Sequence, residues 1–129
     1  MYKEETKFWH EIKAFATKNY SKLSLTRLEN SAAHGTPDLL GYNSFGHFFT
    51  VELKVKKSKK IPFSPHQISF HVRHPKNTFI MVKTQPKALV PLAIKLYEGT
   101  KIRGLRDGIP GIKPVACGLD ACCLFLERL

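Results

Sequence analysis

His47-Phe48-Phe49-Thr50-Val51-Glu52-Leu53-Lys54-Val55 is the most strand-like run in the sequence. Its aromatic and β-branched residues suit a pleated, largely buried strand. Two charges interrupt it. Glu52 and Lys54 stand two residues apart, so in a strand they share one face while Leu53 points to the other. Charged side chains in so apolar a run are uncommon unless they are paired or used in chemistry. Taken by themselves, the two residues fit better the solvent face of a surface strand.

The residues just upstream shift that balance. Asn43-Ser44-Phe45-Gly46 has the composition of a hairpin turn, with Gly46 available for a positive φ. Before it, Asp38 to Tyr42 reads as a short strand that starts at Asp38. Pairing through the turn brings the Asp38 carboxylate beside Glu52. Further back, Gly35-Thr36-Pro37-Asp38 closes a loop from Asn30 to Thr36, rich in Ser, Ala, Gly and His. Leu23 to Leu28 alternates as a strand. Residues 3–19 repeat Phe8, Trp9, Ile12, Phe15 and Ala16 at helical spacing. Two carboxylates and a lysine on neighbouring strands can hold a divalent metal and activate a water beside it. Mg²⁺ takes oxygen ligands and keeps waters, so two carboxylates suffice when a substrate phosphate supplies the rest.

Downstream, Lys56 to Lys60 forms a basic loop. Ser64 caps a helix that opens at Pro65, runs to about Arg73 and stops at Pro75. Thr78 to Lys83 is a buried strand. Residues 88–97 are ambiguous because Pro91 argues against an uninterrupted central strand, leaving Ala93 to Tyr97 as a late edge strand. Lys101 to Arg106 fits a short helix, residues 108–116 an irregular stretch, and Leu119 to Leu129 a closing helix. The order is α/β with a central mixed sheet.

Composition bounds the partners. The chain has 129 residues, suiting one domain, and an ordinary apolar fraction of 43%. Lys and Arg outnumber Asp and Glu by 21 to 10, giving a net charge of +11. That excess favours a polyanionic partner, nucleic acid first. No apolar run is long enough to span a bilayer and no leader pattern opens the chain, so a cytosolic protein is expected. Cys117, Cys122 and Cys123 are expected as reduced apolar residues on the terminal helix. His66, His71 and His74 lack the carboxylate motif of a zinc site and are expected to meet solvent or DNA.

Pro37-Asp38 followed by Glu52-Leu53-Lys54 resembles the PD-(D/E)xK nuclease superfamily. Gly35-x-Pro37-Asp38-Leu39, Val51-Glu52-Leu53-Lys54 and Phe63-Ser64-Pro65-x-Gln67 together are similar to its virus-type replication-repair nuclease group, small phage-encoded members in particular. The likeness covers roughly residues 5–85. It implies a restriction-endonuclease-like core, with a four- to five-stranded mixed sheet between helices, and one nuclease domain over 1–129. The core would span about 3–85, with a tail over about 86–129 for dimerisation. It also implies Mg²⁺, with Mn²⁺ able to substitute, and cleavage of branched DNA such as four-way junctions by a homodimer, in a bacterial or phage-infected cell.

The resemblance assigns roles residue by residue. Asp38, Glu52 and the backbone carbonyl of Leu53 would hold the metal. Lys54 would position the attacking water, and Gln67 would support the site. The superfamily's first helix often contributes a glutamate, and Glu5 fits because it ends the apolar stripe. Glu4 and Glu11 lie off that stripe and are expected to be solvated. Apart from the resemblance, the position of Lys56, Lys57, Lys59 and Lys60 right after Lys54 favours a grip on phosphates over a merely solvated loop, and Arg27, Ser31 and His34, just upstream of Asp38, would border the cleft. Ala93–Tyr97 and the Cys122–Leu129 helix would supply a dimer contact. A monomeric flap or nicking nuclease and a catalytically silent DNA-binding module are the alternatives.

Overall fold

The computed structural model describes residues 3–28, 35–85 and 92–129. Its elements run α1 (Lys3–Asn19), β1 (Ser24–Arg27), β2 (Leu39–Tyr42), β3 (Phe48–Lys56), α2 (Pro65–Arg73), β4 (Thr78–Thr84) and β5 (Ala93–Glu98). A single 3₁₀ turn at Gly99–Lys101 leads into α3 (Ile102–Asp107), then β6 (Ala116–Cys117) and α4 (Leu119–Glu127). The six strands lie in chain order, β1 to β6. All neighbours are antiparallel except β3 and β4, which are parallel and joined through α2.

Side-chain alternation divides this sheet between two cores. Phe49, Val51, Leu53, Phe79, Met81 and Leu96 face α1 and α4, where they meet Phe8, Trp9, Ile12, Cys122, Cys123 and Leu126. Ile80, Val82 and Tyr97 face the other way, against Ile61, Ile102 and Leu105. Glu52 pairs with Ile80 and Lys54 with Val82, so both charges belong to the face of α2 and α3. The period-2 reading of the strand therefore places them correctly on one side of the sheet.

The hairpin between β2 and β3 fixes that register. Asn43 is 1% exposed, and its Oδ1 accepts from the N–H groups of Phe45 and His47. Its Nδ2 donates to the carbonyls of Leu126 and Leu129, tying the turn to the chain's end. Gly46 takes φ +80°, where glycine meets no Cβ penalty.

Several expectations need correction. Strand β2 begins at Leu39, with Asp38 just ahead of it. Strand β5 is interior, flanked by β4 and β6, so Ala93–Tyr97 offers no free edge to a partner. The edge is β6, a two-residue strand in a stretch expected to be irregular, and it brings the sheet to six strands. Cys117 lies exposed on β6 rather than on the final helix. The segment expected as a tail completes the main core through Ile94, Leu96, Cys122, Cys123 and Leu126. Pro91 lies outside the described residues.

Candidate active site

The site forms where β2 and β3 part company. Leu39 pairs with Val51, and one step further the antiparallel register sets Asp38 opposite Glu52. One step beyond that, Pro37 would face Leu53. Proline has no N–H to give the Leu53 carbonyl, so the ladder cannot continue. Instead the Leu53 N–H donates to Asp38 Oδ2 at 2.7 Å. In an antiparallel ladder a residue's N–H and C=O face the same neighbour, so the Leu53 carbonyl is turned to the Asp38 side as well. The Pro-Asp pair thus ends the strand pairing and puts a carboxylate at the break.

Helix α2 supplies the other wall. Gln67 is residue N3 of a capping box: its N–H donates to Ser64 Oγ at 3.1 Å, and its Oε1 accepts from the Ser64 N–H at 2.9 Å. The same amide reaches the sheet. Its Nε2 donates to Glu52 Oε1 at 2.5 Å, and its Oε1 accepts from Lys54 Nζ at 3.4 Å. One side chain therefore starts the helix and bridges the two charged residues of β3. Gly35 helps to dock the loop here, since a Cβ on it would stand 2.4 Å from the His66 carbonyl oxygen. Lys54 Nζ also lies 5.0 Å from the centre of the Phe63 ring. The contact of Phe63 with Lys54 and the double use of Gln67 escape a sequence reading, although Ser64-x-x-Gln67 carries the capping-box signal.

Electrostatics set the carboxylates apart. Glu52 is 2% exposed and Lys54 7%, while Asp38 is half-buried. Burial first, and then the Asp38 charge, push Glu52 well above the usual carboxylate range, with Lys54 pulling back. Asp38 is raised chiefly by burial, against the Leu53 hydrogen bond and the charges of Lys54 and Arg27. Glu5 is raised by burial too, and feels both Lys54 and Asp38. It is buried at the end of the stripe formed by Phe8, Trp9 and Ile12, so α1 brings it to the same locality. Three carboxyl groups thus share this locality with one lysine, and each is held above its ordinary pKa.

The donor set suits a hard divalent cation. Among the described residues, Glu52 Oε2 is buried without a hydrogen-bond partner. Asp38, Glu52 and the Leu53 carbonyl offer oxygens only. Among the described residues no three His, Cys, Asp or Glu side chains gather as a metal cluster. A partial set of this kind matches Mg²⁺, which keeps waters and takes phosphate oxygens.

A cavity of about 690 Å³ opens beside these residues, lined by Glu5, Lys54 and Gln67 among others. Lys56, Lys57 and Lys60 line it as well, whereas Lys59 lines a different hollow with Ile61 and Tyr97, which Lys56 also borders. Glu4, expected in solvent, lines the cavity; Glu11 pairs with Lys83 at 3.1 Å. Arg27 ends β1 near enough for its charge to lower the Asp38 pKa. Ser31 and His34 lie outside the described residues.

The chain is similar to Hjc, a Holliday junction resolvase from the archaeal hyperthermophile Archaeoglobus fulgidus, with a TM-score of 0.52 and 14% identity. The match covers 73% of this chain and 76% of that one. The fold is a restriction-endonuclease-like α/β fold. No protein-family model and no curated protein matches the sequence.

The histidines divide in an unexpected way. His71 was expected to meet solvent or DNA but is fully buried. Its Nδ1 lies 2.8 Å from the Gln67 carbonyl, which can only accept, so Nδ1 carries the proton. Nε2 is then unprotonated and buried with no partner among the described residues. Burial lowers the His71 pKa below its ordinary value. His66 and His74 remain exposed.

Proposed function

We propose that the chain is a divalent-metal-dependent endonuclease that hydrolyses phosphodiester bonds in DNA, with branched DNA such as a four-way junction as its substrate. The observation that carries this reading is the convergence of Asp38, Glu52, Lys54 and Gln67 at the break between β2 and β3. The likeness in fold to a Holliday junction resolvase and the net charge of +11 support it. So does the similarity of the three sequence blocks to the virus-type replication-repair nucleases.

Asp38, Glu52 and the Leu53 carbonyl would hold Mg²⁺ or Mn²⁺. Such an ion supplies a Lewis acid for the phosphoryl oxygens and lowers the pKa of a nearby water. The chain's own groups do the rest. Lys54 orients the attacking water and places a positive charge where the phosphoryl group gains negative charge. Gln67 holds the Lys54 ammonium and the Glu52 carboxylate in fixed relation. Lys56, Lys57 and Lys60 bind the flanking phosphates.

A four-way junction has two-fold symmetry, which a two-fold dimer matches. The outer side of α4 offers the surface for it. Ala121, Leu124 and Phe125, with Val115 and Ala116, line an apolar hollow of about 580 Å³. This replaces the buried Ala93–Tyr97 strand as the contact.

The test compares cleavage of a four-way junction, a flap and a linear duplex by the parent protein and by Asp38→Ala, with and without Mg²⁺. Metal-dependent cutting of the junction that disappears in Asp38→Ala is expected. Preference for the flap by a sedimenting monomer would favour the simpler nuclease. Binding without metal-dependent cleavage of any of the three would leave a DNA-binding module.

A further inference from the structure

The face that carries Glu52 and Lys54 extends beyond the site along β2 and β3 toward their hairpin. Tyr42 and Phe48 stand opposite each other there, and residues 48, 50, 52 and 54 alternate onto one side. The two rings are packed together, with centroids 4.5 Å apart at an angle of 55°. Phe48 is nevertheless 61% exposed and Tyr42 41%. The apolar cluster under α2 and α3 contains no residue of β1 or β2, so this half of the sheet face is not part of either core at Tyr42 and Phe48. Single exposed apolar residues are ordinary. Two joined rings on the same face as a hydrolytic constellation are a prepared surface.

Its surroundings indicate the occupant. Asn77 ties the turn before β4 to this place, donating from Nδ2 to the Phe48 carbonyl at 3.3 Å and accepting at its backbone oxygen from the Thr50 N–H at 3.0 Å. Exposed aromatic faces on a chain of net charge +11 suit nucleobases and their phosphates. Phe48 and Glu52 are four strand residues apart, or about 13 Å. A DNA strand advances about 3.4 Å per nucleotide.

We propose that Tyr42 and Phe48 form a stacking platform for an unpaired base of the DNA strand held at Glu52 and Lys54, about four nucleotides from the bond that is cut. The inference rests on the nuclease reading and narrows its substrate class to DNA that is opened near the cleavage point. A fully paired duplex keeps its bases inside the stack and gives the platform nothing to hold.

The test places 2-aminopurine at single unpaired positions two to eight nucleotides from the mapped cut. Binding is followed by fluorescence in EDTA, which prevents cleavage. The parent protein is expected to change the signal most near the fourth position. Tyr42→Leu/Phe48→Leu should abolish that change and weaken binding of the opened DNA about tenfold, the scale of one base–aromatic stack. Its affinity for paired duplex should stay the same, which also shows that it folds. Phe48→Trp should keep the response. A fluorescence response that survives the double substitution, or no response from a parent that still cuts DNA, overturns the platform alone. So does a double variant that changes sedimentation mass instead, since the rings would then pack on a second copy. A parent that shows no metal-dependent cleavage of any DNA overturns the nuclease reading and the platform with it.

Discussion

Two residues carry separable predictions. Lys54 sits beside three carboxylates but contributes little to the outer surface. In the proposed mechanism its charge acts on the transition state more than on bound DNA, so Lys54→Ala should lower single-turnover cleavage by about 10²-fold or more while the DNA dissociation constant stays within a few-fold. Normal cleavage by this variant would remove the lysine from the mechanism. Gln67 does two jobs with one amide, and Gln67→Glu separates them. A glutamate at N3 can still accept from the Ser64 N–H, so the capping box survives. It cannot donate to Glu52 Oε1, and it sets a second carboxylate against one already raised by burial. Helix content should therefore be retained while cleavage falls by about 10- to 100-fold, the usual effect of losing a supporting contact. Cleavage that survives in Gln67→Glu would confine the amide to the cap. The pairing of Asp38 with Glu52 was legible in the sequence, because hairpin pairing and period-2 alternation are local rules. The reach of Gln67 to both charges was not, because it depends on how closely α2 packs on the sheet.

Helix α2 also holds a titration that the sequence did not disclose. Nothing local distinguishes His71 from His74; packing against the 3₁₀ turn does, for a Cβ on Gly99 would stand 2.6 Å from His71 Cδ2. The folded-state pKa of His71 is lowered, so above about pH 6.5 both folded and unfolded chains hold it neutral. Below that pH the unfolded chain takes up the proton first, and stability falls as pH drops through the folded value. Asp38, Glu52 and Glu5 act in the opposite sense. Their folded pKa values are raised, so their cost is greatest at neutral pH and eases as pH falls through those values. The histidine is therefore read by difference. Urea midpoints at pH 7 and pH 5 should drop further in the parent than in His71→Asn, which keeps an N–H for the Gln67 carbonyl. An equal drop in both would assign the acid limb to other groups. Gly99→Ala tests the same packing without titration. It should destabilise by about 1–3 kcal/mol, with the loss seen as a lower urea midpoint. Strand β6 was illegible for a related reason: two residues show no period, and Ala116 pairs with Leu96 only because the rest of the sheet is already in place.

For the whole molecule, charge was the most legible property and its distribution the least. The excess of 21 basic over 10 acidic residues pointed to a polyanion, but a basic run in a loop does not say which side chains share a surface. Lys56 to Lys60 looks continuous in sequence and divides in space. Lys57 and Lys60 line the cavity with Glu5, Lys54 and Gln67, while Lys59 lines the hollow beside Ile61 and Tyr97. Ser58 Oγ donates to the Lys60 carbonyl across this turn, at 3.1 Å. Each lysine that neutralises a duplex phosphate releases counterions and adds about 0.9 to the slope of log K against log salt. Lys57→Ala/Lys60→Ala should accordingly reduce that slope by about 2, and by the same amount for every duplex sequence, because phosphates carry no sequence information. Lys59→Ala removes the same formal charge from the same loop and should leave the slope near that of the parent. Filter binding of a linear duplex across a salt series in EDTA measures all three proteins without cleavage. Equal losses for Lys59 and for its neighbours would mean that the DNA responds to total charge and that the cavity does not set its path. A loss confined to Lys57 and Lys60 would place the phosphate track along the wall that ends at Lys54.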